Sequence, residues 1–301
     1  MFDPAVAEKP AIVVIDSIQT VYLPDLDNAP GTVTQIRECT NFIMQFAKKT
    51  GFSALIIGHV TKEGIIAGPR MLEHMVDTVL YLEGDSKFDH RILRSIKNRF
   101  GTTNEVGIFQ MNEVGLEEVA NPSQFFLTER TLEVSGSVIF PALEGTRPLL
   151  IEIQALVSNA NFGTPQRNSN GIDYKRLAML LAVLEKRIGM NIGAKDVFIN
   201  LVGGFHISDP STDLPVIIAI ASSAKDFTIS NNTVLVGEVG LSGELRSVPN
   251  LDKRIKESEA LGFSSIIIPK SNLKRLKNLD YKISVLGFQN VKEVLNHLFN
   301  N

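Results

Sequence analysis

The sequence predicts an α/β domain built on a mostly parallel sheet, followed by an α+β domain. Three observations carry that prediction. The chain has 301 residues, and at about 150 residues per domain it has room for two cores. In the first half, short aliphatic runs alternate with segments of helical period, the order that builds parallel sheets. In the second half, strands and helices mix without that alternation.

The run Ala11 to Ile15 ends at Asp16 and has the pattern of a strand covered on both faces. After a turn-rich loop, Leu23 to Gly31, apolar residues at Val33, Ile36, Ile43, Phe46 and Ala47 place a helix ahead of Gly51. Ser53 to Ile57 gives a second buried strand, closed by Gly58 and His59, and completes a βαβ unit. Strands follow at Thr78 to Glu83, Arg91 to Lys97 and Glu105 to Met111, the last two forming a hairpin. Residues 121 to 135, opening on Asn121-Pro122-Ser123, read as a linker. The first domain is thus 1–120 and the second 136–301. In the second, Ser137 to Ala142 and Leu149 to Val157 are joined strands, and Leu177 to Ile188 is an amphipathic helix. A strand at Val197 to Leu201 precedes a helix at Leu214 to Ser222, with Pro215 in its first turn. Strands at Val234 to Val236 and Ile266 to Ile268 flank a helix at Lys253 to Leu261.

Composition excludes several classes. The single cysteine, Cys39, rules out a disulfide framework within this sequence and a zinc finger, which needs about four close ligands. No apolar stretch approaches the ~20 residues of a membrane span, and the N-terminus lacks the pattern of a signal peptide; a cytoplasmic protein is expected. Residues 1 to 135 carry net charge −6 and residues 136 to 301 carry +3, so nucleic-acid contact would come from local patches. The five histidines show no metal-ligand spacing.

Asp16 closes a buried strand where open α/β sheets bind ligands, and a carboxylate there can hold Mg²⁺. Taken alone, it serves equally well as a cap of the next segment. Arg94, Lys97 and Arg99 likewise read alone as a solvated basic face.

The stretches VIDSIQT (14–20), GHVTKEG (58–64), AGPR (67–70), LEHMVDTVLY (72–81), KNRFG (97–101), EGTRPLL (144–150), QALV (154–157) and GEVGLSGE (237–244) closely resemble the RadA (Sms) family of bacterial DNA repair proteins, RecA-related ATPases. The resemblance implies a partial RecA-like core followed by a Lon protease-like domain of ribosomal S5-like fold. It implies that Asp16 is the Walker B carboxylate, with Ser17 beside it at the nucleotide, and that His59 senses the γ-phosphate. Lys62 and Arg70 fall in the stretch implied to bind DNA. Lys97 and Arg99 stand in the signature motif implied in ATP use and DNA engagement. ATP and Mg²⁺ are the implied cofactors, single-stranded and branched DNA the partners, and a homohexameric ring linked to the RecA recombinase the working form.

The family's pattern also includes a four-cysteine zinc finger and a Walker A loop. This sequence contains no Gly-Lys dipeptide, hence no G-x-x-x-x-G-K-[ST] phosphate cradle. It reads as a member cut just ahead of Walker B, and zinc is expected only in the missing part. ATP turnover by the chain unaided is therefore not expected, which keeps a DNA-binding and assembly module as the alternative. In the second domain, matching to Lon places Ser211 at the serine nucleophile and Asp252 where the lysine base belongs. Such a degenerate pair does not support proteolysis, and Ser211 reads also as a turn hydroxyl. Lys253, Arg254 and Lys256, with Lys270, Lys274, Arg275 and Lys277 beyond, are candidate phosphate contacts or a solvated surface.

Overall fold

A computed structural model describes residues 9–59, 67–84, 89–103, 105–128, 130–160, 163–276 and 280–299. The strands are β1 (Ile12–Asp16), β2 (Ser53–Ile57), β3 (Thr78–Glu83), β4 (His90–Asn98), β5 (Val106–Asn112), β6 (Gly115–Glu118), β7 (Ser137–Glu144), β8 (Arg147–Asn159), β9 (Arg167–Asn170), β10 (Lys195–Leu201), β11 (Thr233–Leu235), β12 (Glu238–Val239), β13 (Leu245–Arg246), β14 (Ser265–Pro269) and β15 (Ser284–Phe288). The helices are α1 (Val33–Thr50), α2 (Ala67–Met75), α3 (Pro122–Leu127), α4 (Tyr174–Val183), α5 (Asp213–Lys225), α6 (Leu251–Ala260), α7 (Lys270–Leu273) and α8 (Val291–Phe299). The chain forms two compact units, Met1–Tyr81 with Ser95–Thr103 and Leu82–Arg94 with Asn104–Asn301.

In the first unit β1 and β2 pair in parallel, with Asp16 opposite Ile57. Helix α1 ends where Gly51 takes the left-handed conformation and donates its N–H to the Ala47 carbonyl. Its buried stripe, Ile36, Cys39 and Ile43, packs with Ile15 and Ile18. The expectation of a strand covered on both faces is corrected here. Ile12 is 63% exposed, Val14 57% and Leu55 51%, because the described helices meet only the face that Ile15 shares. An aliphatic run records what a strand can bury, not what lies against it.

In the second unit a seven-stranded mixed sheet runs in the order β15-β14-β11-β7-β8-β10-β9. The hairpin β7–β8 is antiparallel, while β11, β14 and β15 are parallel. Helix α5 is buried at every position from Asp213 to Ser222; apolar nearly all round, it packs on β7 and β8 as the centre of the core. A four-stranded sheet has the order β3-β4-β5-β6.

The predicted linker is also corrected. Residues 122–127 form α3, whose buried Ser123 donates to a Glu257 carboxylate oxygen at 2.6 Å and accepts from the Leu150 N–H at 3.0 Å. Polar turn residues marked a break in pattern, yet here they cap a helix: the Asn121 side chain accepts from the Gln124 N–H. The two compact units divide within β3 and β4.

His90, buried at the start of β4, stacks on Phe205 with ring centroids 6.1 Å apart and meets Phe126 edge-on at 5.1 Å. Burial pushes its imidazole below the ordinary value of 6.5, against a hydrogen bond with the Gly203 backbone. A group depressed in the folded state adds stability above its unfolded pKa, and that stability is lost as pH falls below about 6.5. Urea unfolding followed at pH 7.5, 6.5 and 5.5 is expected to show falling stability across this window, with a smaller fall in His90→Phe. An equal fall in both proteins would refute the assignment.

Candidate functional site

The C-terminal ends of β1 and β2 bring Asp16 and His59 together. The Asp16 Oδ1 lies 3.8 Å from His59 Nε2, and both side chains are exposed. Gln19 Nε2 donates to the His59 carbonyl at 3.1 Å, fixing the loop after β2. A carboxylate and an imidazole at adjoining parallel strand ends occupy the edge where open α/β sheets take ligands. Ser17 departs from expectation: its side chain is buried, and its carbonyl accepts from the Thr20 N–H at 3.1 Å and hydroxyl at 2.9 Å. It shapes the turn after β1.

The resemblance implies ATP and Mg²⁺ at this edge. Asp16 is exposed and suits a divalent cation, but no cluster of three metal-ligating side chains occurs among the described residues. The sequence has no Gly-Lys to cradle phosphates. The residues present therefore do not make a complete nucleotide site.

Lys97 and Arg99 form a clamp on the end of α2 and the residue after it. The Lys97 ammonium donates to the carbonyls of Glu73 at 2.6 Å, Val76 at 2.8 Å and His74 at 3.4 Å, so its three N–H groups cap the C-terminal end of α2. The Arg99 N–H donates to the Asp77 carbonyl and its Nη1 to the Asp77 carboxylate, each at 3.0 Å. Lys62 and the Arg70 side chain lie outside the described residues.

In the second unit no hydrogen bond joins Ser211 to Asp252 among the described residues. Ser211 is 1% exposed on a turn, Pro210–Thr212, in which Asp209 accepts from the Ser211 N–H at 2.9 Å. Asp252 lies in the first turn of α6, and its charge acts on Tyr281, whose phenol is pushed up by burial and by Asp252 and Glu259. The residue of α6 that reaches the turn is Arg254, wholly buried, donating to the Asp209 carboxylate and the Pro141 carbonyl. Burial alone would raise the Asp209 carboxyl; Arg254 and the hydrogen bond from the Ser211 N–H outweigh it and hold it below the ordinary carboxylate range. Arg254 is lowered by burial and supported by Asp209. It is removed from the DNA-binding set, since a sealed guanidinium cannot meet a phosphate.

Asp213 forms a second such pair. Arg176 Nε donates to it at 2.7 Å and the Val239 N–H at 3.0 Å, yet burial still pushes its carboxyl up. These pairs escaped sequence reasoning, although one signal was present. Leu251, Arg254, Ile255 and Ser258 form the buried face of α6, so Arg254 falls on the apolar stripe by period alone. Lys253 is half-buried, while Lys256, Lys270, Lys274 and Arg275 are exposed; Lys277 lies outside the described residues.

The parallel β1/β2 pair defines an α/β unit with a carboxylate and an imidazole at its strand ends. Comparison with known proteins then gives the family. Over 95% of its length the chain is 51% identical to the DNA repair protein RadA of Bacillus subtilis and 49% identical to that of Halalkalibacterium halodurans, covering 62% of each. It is 48% identical to the DNA repair protein RadA of Streptococcus pneumoniae over 97% of its own length and 69% of that protein. The chain belongs to the RadA family of DNA repair proteins. It spans about 62% of the length of the first two relatives. Residues 175–272, within the second unit, match the family model for subunit ChlI of Mg-chelatase. No helix among the described residues is long and apolar enough to cross a membrane.

Proposed function

We propose that the chain serves RadA-type DNA repair, in which a RecA-like core drives ATP-dependent processing of branched recombination intermediates. The observation that carries the reading is the Asp16–His59 pair at the C-terminal edge of β1 and β2, in a chain about half identical to RadA proteins. In this reading Asp16 would hold Mg²⁺ as a Walker B carboxylate, and His59 would sense the γ-phosphate. The working form is a homohexameric cytoplasmic ring on single-stranded and branched DNA, acting with the RecA recombinase. The second unit is a Lon protease-like domain that has lost proteolysis. The burial of Ser211, and a guanidinium rather than an amine beside its turn, support that loss.

For the 301-residue polypeptide itself, the proposal is DNA binding without ATP turnover. Exposed Lys256, Lys270, Lys274 and Arg275, with half-buried Lys253, supply phosphate contacts. ATP hydrolysis measured with single-stranded DNA present is expected to stay at background. Hydrolysis that DNA stimulates and Asp16→Asn abolishes would overturn the claim that a Walker A lysine is required.

A further inference from the structure

In the turn at the end of β4, Lys97, Asn98 and Arg99 are each held by hydrogen bonds, while Phe100 is left exposed. Lys97 is spent on the end of α2. Asn98 accepts from the Phe100 N–H through Oδ1 at 3.1 Å and donates to the Thr102 carbonyl through Nδ2 at 3.4 Å. Arg99 is tied by backbone and side chain to Asp77. A Cβ at Gly101 would come within 2.8 Å of Asn98 Nδ2, so this position excludes a side chain without displacing the Asn98 amide. Phe100 remains, 85% exposed, on a backbone whose own N–H is fixed.

A phenyl ring standing alone on a braced turn is prepared for a flat partner. Beside it in sequence, Arg99 is half exposed and gives only Nη1 to Asp77, which leaves donors of its fork for an anion. An aromatic face next to a guanidinium is the pairing that takes an unpaired nucleobase together with its phosphate. We infer that Phe100 is a stacking platform for one base of single-stranded DNA, with Arg99 at the adjoining phosphate. This rests on the DNA-binding reading above and adds to it the residue that meets a base.

The sequence contains no tryptophan, so Phe100→Trp places a single indole reporter at the proposed contact. With the 301-residue chain and an oligothymidine, Phe100→Trp is expected to bind like wild type, its emission quenched on stacking. Phe100→Ala is expected to bind roughly 5- to 150-fold more weakly, the worth of one stacked base, with the slope of log affinity against log salt unchanged because no phosphate contact is lost. Wild-type affinity in Phe100→Ala with unquenched indole emission would overturn the inference while leaving DNA binding intact. Emission that shifts with protein concentration and ignores DNA would overturn it in favour of a pocket on another chain. Failure of the wild-type protein to bind the oligonucleotide would overturn it together with the reading on which it rests.

Discussion

Replacing Arg254 with methionine is expected to destabilise the second unit by about 3 to 5 kcal/mol, the usual cost of breaking a buried ion pair on one side. At roughly 2 to 4 °C per kcal/mol for a unit of this size, the melting temperature falls by about 6 to 20 °C. Methionine replaces much of the volume, so the loss is electrostatic. The Pro141 carbonyl loses its donor, and Asp209 keeps a charge whose partner is gone. Because burial opposes the Asp209 charge while Arg254 favours it, the carboxyl pKa should rise in the variant. Removing both charges, with Arg254→Met and Asp209→Asn together, should recover part of the loss. Arg254→Lys should fall between, since one ammonium cannot span both acceptors as a planar fork does. Thermal and urea unfolding of the four proteins provides the check. A single Arg254→Met variant within 1 kcal/mol of wild type would show that the pair does not brace the Ser211 turn.

What could be read from the sequence depended on which interactions have local signatures. The strand Ser53–Ile57 and the helix closed by Gly51 lie where period and terminal residues place them, because turn and cap preferences act over a few residues. Pro215 falls in the first turn of α5 for the same reason. Strand β9, Arg167–Asn170, was not recognised: its sequence RNSN has no apolar alternation, and its pairing comes wholly from β10. Within the 121–135 stretch that reads as a linker, residues 122–127 are helical, because Asn121 and Pro122 start helices as readily as loops.

At the site, the position of Asp16 was legible because a strand end is local. Its neighbour His59 came from resemblance, and only the parallel register brings the two within 3.8 Å. The roles of Lys97 and Arg254 were not legible, since a cation in sequence does not show whether carbonyls, a carboxylate or water receives it. Lys97 meets the end of a helix more than twenty residues earlier, and Arg254 a turn forty-five residues earlier. Both signals are long-range packing.

In the proposal, the polypeptide holds single-stranded DNA through surface cations and one stacked base, without calling on ATP. Fluorescence anisotropy of a labelled oligothymidine, titrated from 50 to 200 mM salt with and without ATP and Mg²⁺, tests it most directly. If about four phosphates are neutralised, the slope of log affinity against log salt is roughly −3, and affinity falls about fifty-fold across that range. This fall is expected, identical in both series. No binding at the lowest salt, affinity indifferent to salt, or binding that appears only with ATP would contradict it.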